Sequence, residues 1–263
     1  MKLNPRIIQI AAFCFAIVSA HAQVRPGPGG PPRPPRFSGS VAKFFGENSS
    51  FSGTMEAQIK GSSSDEVMTV PGKIAVSEGK SRWEPDMTQI KGGKMPPEMV
   101  AQMKSMGMDK MVMISRPDKK LSYMIYPNLQ AHAEMAADDP EAGEKDSDFT
   151  LETTELGREI VDGHPCVKNK AVVTDTKGNR HEATIWNATD LRKFPVKIEQ
   201  MEQGTLITML FKDVQLTKPD PKVFEPPAES KKYDNMQAMM QEVMTKRFGG
   251  APPPPPPSER PPQ

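Results

Sequence analysis

Apolar and polar residues alternate through most of this chain with the two-residue period of a β-strand. Phe51 to Lys60, FSGTMEAQIK, predicts a first strand. Val67 to Ser77 predicts a second, with a bulge or bend at Pro71-Gly72. Gly79-Lys80 then turns into a third, SRWEPDMTQI, interrupted by Pro85. Asp109 to Ser115 and Lys120 to Tyr126 predict a hairpin across Arg116-Pro117-Asp118-Lys119, a sequence suited to a turn. From Leu156 to Leu216 the chain reads as a β-meander. Its last strand, TLITMLFKDVQL, carries Leu206 and Leu210 on one side and Ile207, Met209 and Phe211 on the other, so both faces are expected to be covered.

The hairpin at Lys177-Gly178 tests that reading in detail. With these two residues as the loop, Thr176 faces Asn179, and Trp186 shares a face with Val167, Ala171 and Val173. Two segments depart from the strand period. Pro96 to Met106 has prolines at a helix start and Gly107 at its end, with Met99, Met103 and Met106 on one helical face. Asp234 to Phe248 predicts a second helix, with Asp234 as N-cap and an apolar stripe of Met236, Met240, Val243 and Met244. A sheet of about eight strands with two helices to cover it is an α+β arrangement. The expected form is a curved antiparallel sheet, an incomplete barrel, with helices packed on the concave side beside an apolar groove.

The ends differ from this middle. Lys2 and Arg6 precede the apolar run Ile7 to Val18, and Ala20-His21-Ala22 offers a small-x-small cleavage site, so residues 1–22 are expected to be a secretory signal peptide. The apolar run is too short to span a bilayer. Residues 23–36 read as a disordered Pro/Gly-rich linker and 249–263 as a disordered Pro-rich tail, leaving 37–248 as one domain. The expected location is periplasmic or secreted. Cleavage would take Cys14 and leave Cys166 alone, with no intrachain disulfide. It would also leave 32 basic residues against 33 acidic, no excess positive field for nucleic acid. No later segment is long and apolar enough to be a transmembrane helix.

The closing half carries the pattern G…I-x-G-x-x-C…W…L-x-x-F-P-V-K. It is formed by Gly157, Ile160, Gly163, Cys166, Trp186, Leu191, Phe194, Pro195, Val196 and Lys197. There follows F-K-D-V-x-L…P-D-P…F-x-P-P, from Phe211 to Leu216, then Pro219, Asp220, Pro221, Phe224, Pro226 and Pro227. These residues resemble bacterial secreted proteins of the lipoprotein-carrier half-barrel type. That type includes the LolA/LolB-like superfamily and a related domain-of-unknown-function family that keeps the Cys and Trp. The resemblance covers about 155–230 well and 50–130 in outline. It implies an incomplete antiparallel barrel closed by helices over an apolar cavity.

Candidate chemistry is sparse. His164, Cys166 and His181 are ligand and nucleophile types. The hairpin register, however, pairs His181 with Thr174, eight residues and roughly 26 Å from Cys166. Seven methionines lie between Met95 and Met113, and thioethers select Cu(I), yet the same residues make a plain apolar helix face and an alternating strand. The carboxylate runs Asp138-Asp139 and Glu141 to Asp148 sit in an acidic loop over 137–148, where solvation leaves them poor catalysts. There is no nucleophile elbow, phosphate loop or dinucleotide fingerprint.

The sequence therefore points to an exported, non-enzymatic binding protein without cofactor or assigned metal ligands. It would hold a lipid, acyl chain or peptide segment in a Met-lined groove. Met99, Met103, Met106, Trp186, Leu206 and Leu210 are the expected lining. Two alternatives are periplasmic Cu(I) binding through the 95–113 methionines, and an envelope scaffold whose Pro-rich ends reach a protein partner.

Overall fold

Alternation builds twelve strands, and all twelve join one large, open, curved sheet among the described residues. The computed structural model describes residues 37, 39–61, 66–92, 97–136, 148–202 and 204–248. The stretches expected to be a leader (1–22), a linker (23–36) and a tail (249–263), and all but the last residue of the acidic stretch 137–148, lie outside these. In chain order the strands are β1 (Ser50–Lys60), β2 (Val67–Ser77), β3 (Lys80–Pro85), β4 (Val112–Arg116), β5 (Leu121–Tyr126) and β6 (Ala131–Ala136). There follow β7 (Phe149–Val161), β8 (His164–Asp175), β9 (Arg180–Ala188), β10 (Pro195–Glu202), β11 (Thr205–Gln215) and β12 (Lys231–Tyr233). The spatial order is β12-β6-β5-β4-β3-β2-β1-β11-β10-β9-β8-β7. Two meanders, β1 to β6 and β7 to β11, are thus fused where β1 pairs with β11.

Among the described residues three α-helices accompany the sheet: α1 (Gly39–Lys43), α2 (Pro97–Ser105) and α3 (Met236–Phe248). Helix α2 ends as its sequence foretold: Gly107 N–H donates to Lys104 O and Met108 N–H to Met103 O, a Schellman close. Helix α3 starts one residue later than expected. Asn235, not Asp234, caps it, its Oδ1 accepting from Ala238 N–H at 2.8 Å. Strands β6 and β12, the first half of β7 and helix α1 have no counterpart in the sequence reading. Pro71 makes no bulge: β1 and β2 pair without a break from Ser50–Ser77 to Lys60–Val67.

The β8–β9 hairpin requires a correction with consequences. The pairs are Thr174–Arg180, Val173–His181, Lys168–Trp186 and Cys166–Ala188. The loop therefore has three residues rather than two. The Asp175 carboxylate closes it by accepting from the N–H groups of Lys177 and Asn179, each at 2.8 Å. Gly178, at φ 84°, takes the left-handed position that three-residue loops need. A slip of one residue exchanges faces. Ala171 and Val173 consequently share a face with Ala183 and Ile185, while Trp186 lies on the other with Lys168.

The face carrying Met55, Phe51, Ile185, Ile198, Met209 and Phe211 holds the main core. Near α1 it is aromatic. Phe37, Phe45, Phe51, Phe194 and Phe211 stand 4.8–6.3 Å apart between ring centroids, mostly edge to face. Towards β6 it becomes methionine-rich.

The opposite face is mainly polar, and an apolar area lies on it over β4 and β5. There Val112, Ile114, Tyr123 and Ile125 are covered by Phe224, from a 3-10 turn at Pro221–Phe224. Arg82 Nη1 donates to Val223 O at 3.0 Å. Arg116, buried, donates to Phe224 O, to Asp118 and to Glu225. The strap continues to Ser230, whose Oγ lies 2.7 Å from His132 Nδ1, and then into β12. The closing Pro-Asp-Pro…Phe motif is this strap.

Phe224→Ala is expected to destabilise the fold by about 3–5 kcal/mol in denaturant titration, the usual cost of removing a buried ring. The strap should also respond to acid. Burial, with Lys232 adding to it against Glu134, holds His132 below its ordinary value of 6.5. The unfolded chain then takes up the proton first, so stability falls as the pH drops below about 6.5. Thermal melts at pH 7 and 5.5 should show a drop in wild type that His132→Gln reduces.

Candidate functional site

Methionines from strands, helices and turns gather on the core face. Met113 and Met124 are cross-strand partners on β4 and β5 and are buried, as are Met87, Met111 and Met239. Met68 from β2, Met103 from α2, Met108, Met135 from β6, and Met236 and Met240 from α3 are half-buried against the same cluster. Each strand delivers its methionine by the alternation that sends every second side chain to this face. Helix α3 packs beside β6 and β12. It is tied there by Glu242, which lies 2.6 Å from Lys231 of β12; within the helix, Lys246 stands 2.7 Å from the same carboxylate. Those two ammonium groups pull the Glu242 carboxyl down to about 2.

Two polar groups are set into this apolar surface. Tyr126 is buried, and its hydroxyl donates to Met124 Sδ at 3.5 Å. Burial pushes that phenol up. Trp83, on β3, lies between Ile74 and Met113 across the strands and is 4% exposed. A Cβ at Gly72 would stand 2.7 Å from its Nε1 and 2.5 Å from Glu84 O, so the indole needs glycine beneath it.

The six residues expected to line a groove separate into two groups. Met103 is on the core face, half-buried against the cluster. Met106 is half-buried just past α2, and Met99 lies on α2 with its side chain outside those described. Trp186, Leu206 and Leu210 are on the opposite face. Lys197 pairs with both Trp186 and Leu210, while Met209 and Phe211 alternate towards the core. Trp186 is buried there under Lys168 and Lys197, whose Nζ atoms stand 4.9 and 4.2 Å from the ring centroid, and it donates to Glu159. Leu206 and Leu210 are half-buried, so their face of β11 is only partly covered.

Sequence reasoning missed Trp83, Met68, Met124 and Met135. The first three sit at alternating positions that a face assignment would have found. Met135 belongs to a strand that was not anticipated.

The His and Cys side chains do not converge. His181 pairs with Val173, seven residues and roughly 23 Å along β8 from Cys166. Cys166 is buried, its Sγ donates to His164 O at 3.3 Å, and burial pushes its thiol up, which disfavours the thiolate. Among the described residues no three His, Cys, Asp or Glu side chains are grouped to hold a metal. Among them, too, no helix is long and apolar enough to cross a membrane.

No family model matches the chain, and no curated protein does. Solved structures do. Lipoprotein LppX of Mycobacterium tuberculosis is similar at 9% identity and a TM-score of 0.37, over 62% of this chain and 85% of that one. A LolA superfamily protein from Nitrosomonas europaea is similar at 9% identity and a TM-score of 0.33, over 72% and 98%. LprF from Mycobacterium bovis is similar at 12% identity and a TM-score of 0.32, over 69% and 93%. The LolA superfamily, which the closing motifs resemble, is thus represented among the solved structures similar to this chain.

Proposed function

We propose that this chain is an exported, non-enzymatic binding protein that holds an apolar ligand, a lipid or acyl chain, along its methionine-rich core face. The observation that carries this reading is the chemistry of that face. Met68, Met103, Met108, Met135, Met236 and Met240 remain half-buried around the buried Met113, Met124 and Met239. Unbranched thioether chains reshape at little cost, so such a surface accommodates variable alkyl groups where branched side chains would not. In this reading the sheet is the wall, and α2 and α3 cover its concave side as adjustable closures. Trp186, Leu206 and Leu210 then serve the opposite face, not the groove. The near balance of basic and acidic residues fits an uncharged ligand better than nucleic acid.

Purification from an export-competent bacterial host, followed by solvent extraction and mass spectrometry, should yield co-purifying lipid. A fluorescent naphthylamine probe should bind the delipidated protein. Met103→Lys is expected to weaken that probe at least tenfold. Met201→Lys, at an exposed position on the opposite face, should leave it unchanged. Absence of both lipid and probe binding in a folded protein would overturn the proposal.

A further inference from the structure

Trp83 is the buried side chain whose polar atom has no hydrogen-bond partner among the described residues. Such orphans are rare, and leaving a buried donor unpaired is costly, so a partner is called for. The molecule's other tryptophan meets this rule, since Trp186 gives its N–H to Glu159. The Trp83 Nε1 lies over Gly72, on the core face that the methionines share. Two strands further, on the same face, the Tyr126 hydroxyl donates to a thioether, a weak acceptor. The core-face residues flanking Trp83 on β2 and β4, namely Val70, Ile74, Val76 and Met113, carry no charge. A carboxylate placed there would lose its hydration without gaining a counter-ion, whereas a neutral carbonyl would not face that penalty.

We infer that the ligand carries a neutral hydrogen-bond acceptor, an ester or amide carbonyl, which receives the Trp83 indole N–H over Gly72. The site thereby selects acylated molecules over plain hydrocarbons. This rests on the apolar-ligand reading above and adds the chemical class to it. An acceptor-bearing ligand would satisfy the orphan donor, and an alkane would leave it unpaired.

The chain has two tryptophans, so the ¹⁵N-indole-labelled protein gives two side-chain N–H signals. Methyl laurate and n-pentadecane, matched in heavy-atom count, are titrated against the naphthylamine probe and followed by these signals. The ester is expected to compete about tenfold better than the alkane, in line with one hydrogen bond to a buried donor. It should shift the Trp83 indole proton and leave that of Trp186 in place. Trp83→Phe should lose the preference for the ester. Equal competition in wild type, an unmoved Trp83 signal on ester binding, or a preference retained in Trp83→Phe would each sink the acceptor assignment while leaving the groove intact. Should neither compound displace the probe, the apolar-ligand reading falls and this inference with it. If Trp83→Phe does not fold, the wild-type indole signal and the ester-to-alkane ratio decide the matter.

Discussion

The pairing of β1 with β11 is the contact on which the rest of the molecule depends. Thr54 and Lys212, hydrogen-bonded across it, are 158 positions apart. Without this pairing the chain holds two separate meanders, each with an exposed edge and half a hydrophobic face. With it, Met55 meets Phe211 and Ala57 meets Met209, and the core becomes continuous from α1 to α3. The entropy of closing so long a loop rises only with the logarithm of its length, so the burial along this seam has to beat a modest cost. Such non-local pairing makes for slow folding.

Once the sheet exists, its pleat divides the labour. Every second residue faces the core, and that face has two regions of different mechanical character. Beneath α1 the phenylalanines interlock edge to face and fix the geometry of β1, β10 and β11. Towards β6 the lining turns to methionine, whose flexible chains define shape less sharply. The aromatic packing thus sits at the seam and the methionine packing at the far end.

On the opposite face the strap covers apolar side chains. Phe224 and Val223 fill an apolar depression over β4 and β5, and Arg116 and Arg82 fasten the strap by its carbonyls. This positions β12 against β6 and so delivers α3, with its methionines, to the sheet edge. The two faces are therefore coupled: the segment that covers one side leads directly into the helix packed at the edge of the other.

Local signals were enough to read β1, β2, the β4–β5 hairpin and the meander, because alternation, prolines and turn residues act within a few positions. Helix α2 was legible from Pro97 and Gly107 for the same reason. The short pieces were not. Residues 39–43 and 231–233 become helix and strand only because neighbours from elsewhere in the chain complete their hydrogen bonds and burial. The face of Trp186 turned on a single loop residue at Asp175–Asn179, a choice settled by one carboxylate accepting two N–H groups. The sequence by itself determined that this is a sheet with apolar, methionine-bearing faces. Only the tertiary structure decided which face each methionine, leucine and tryptophan occupies, and which indole is left unpaired. Period-two patterns specify that alternate residues part company, but the side of the sheet that is buried depends on register and on partners far away in the chain.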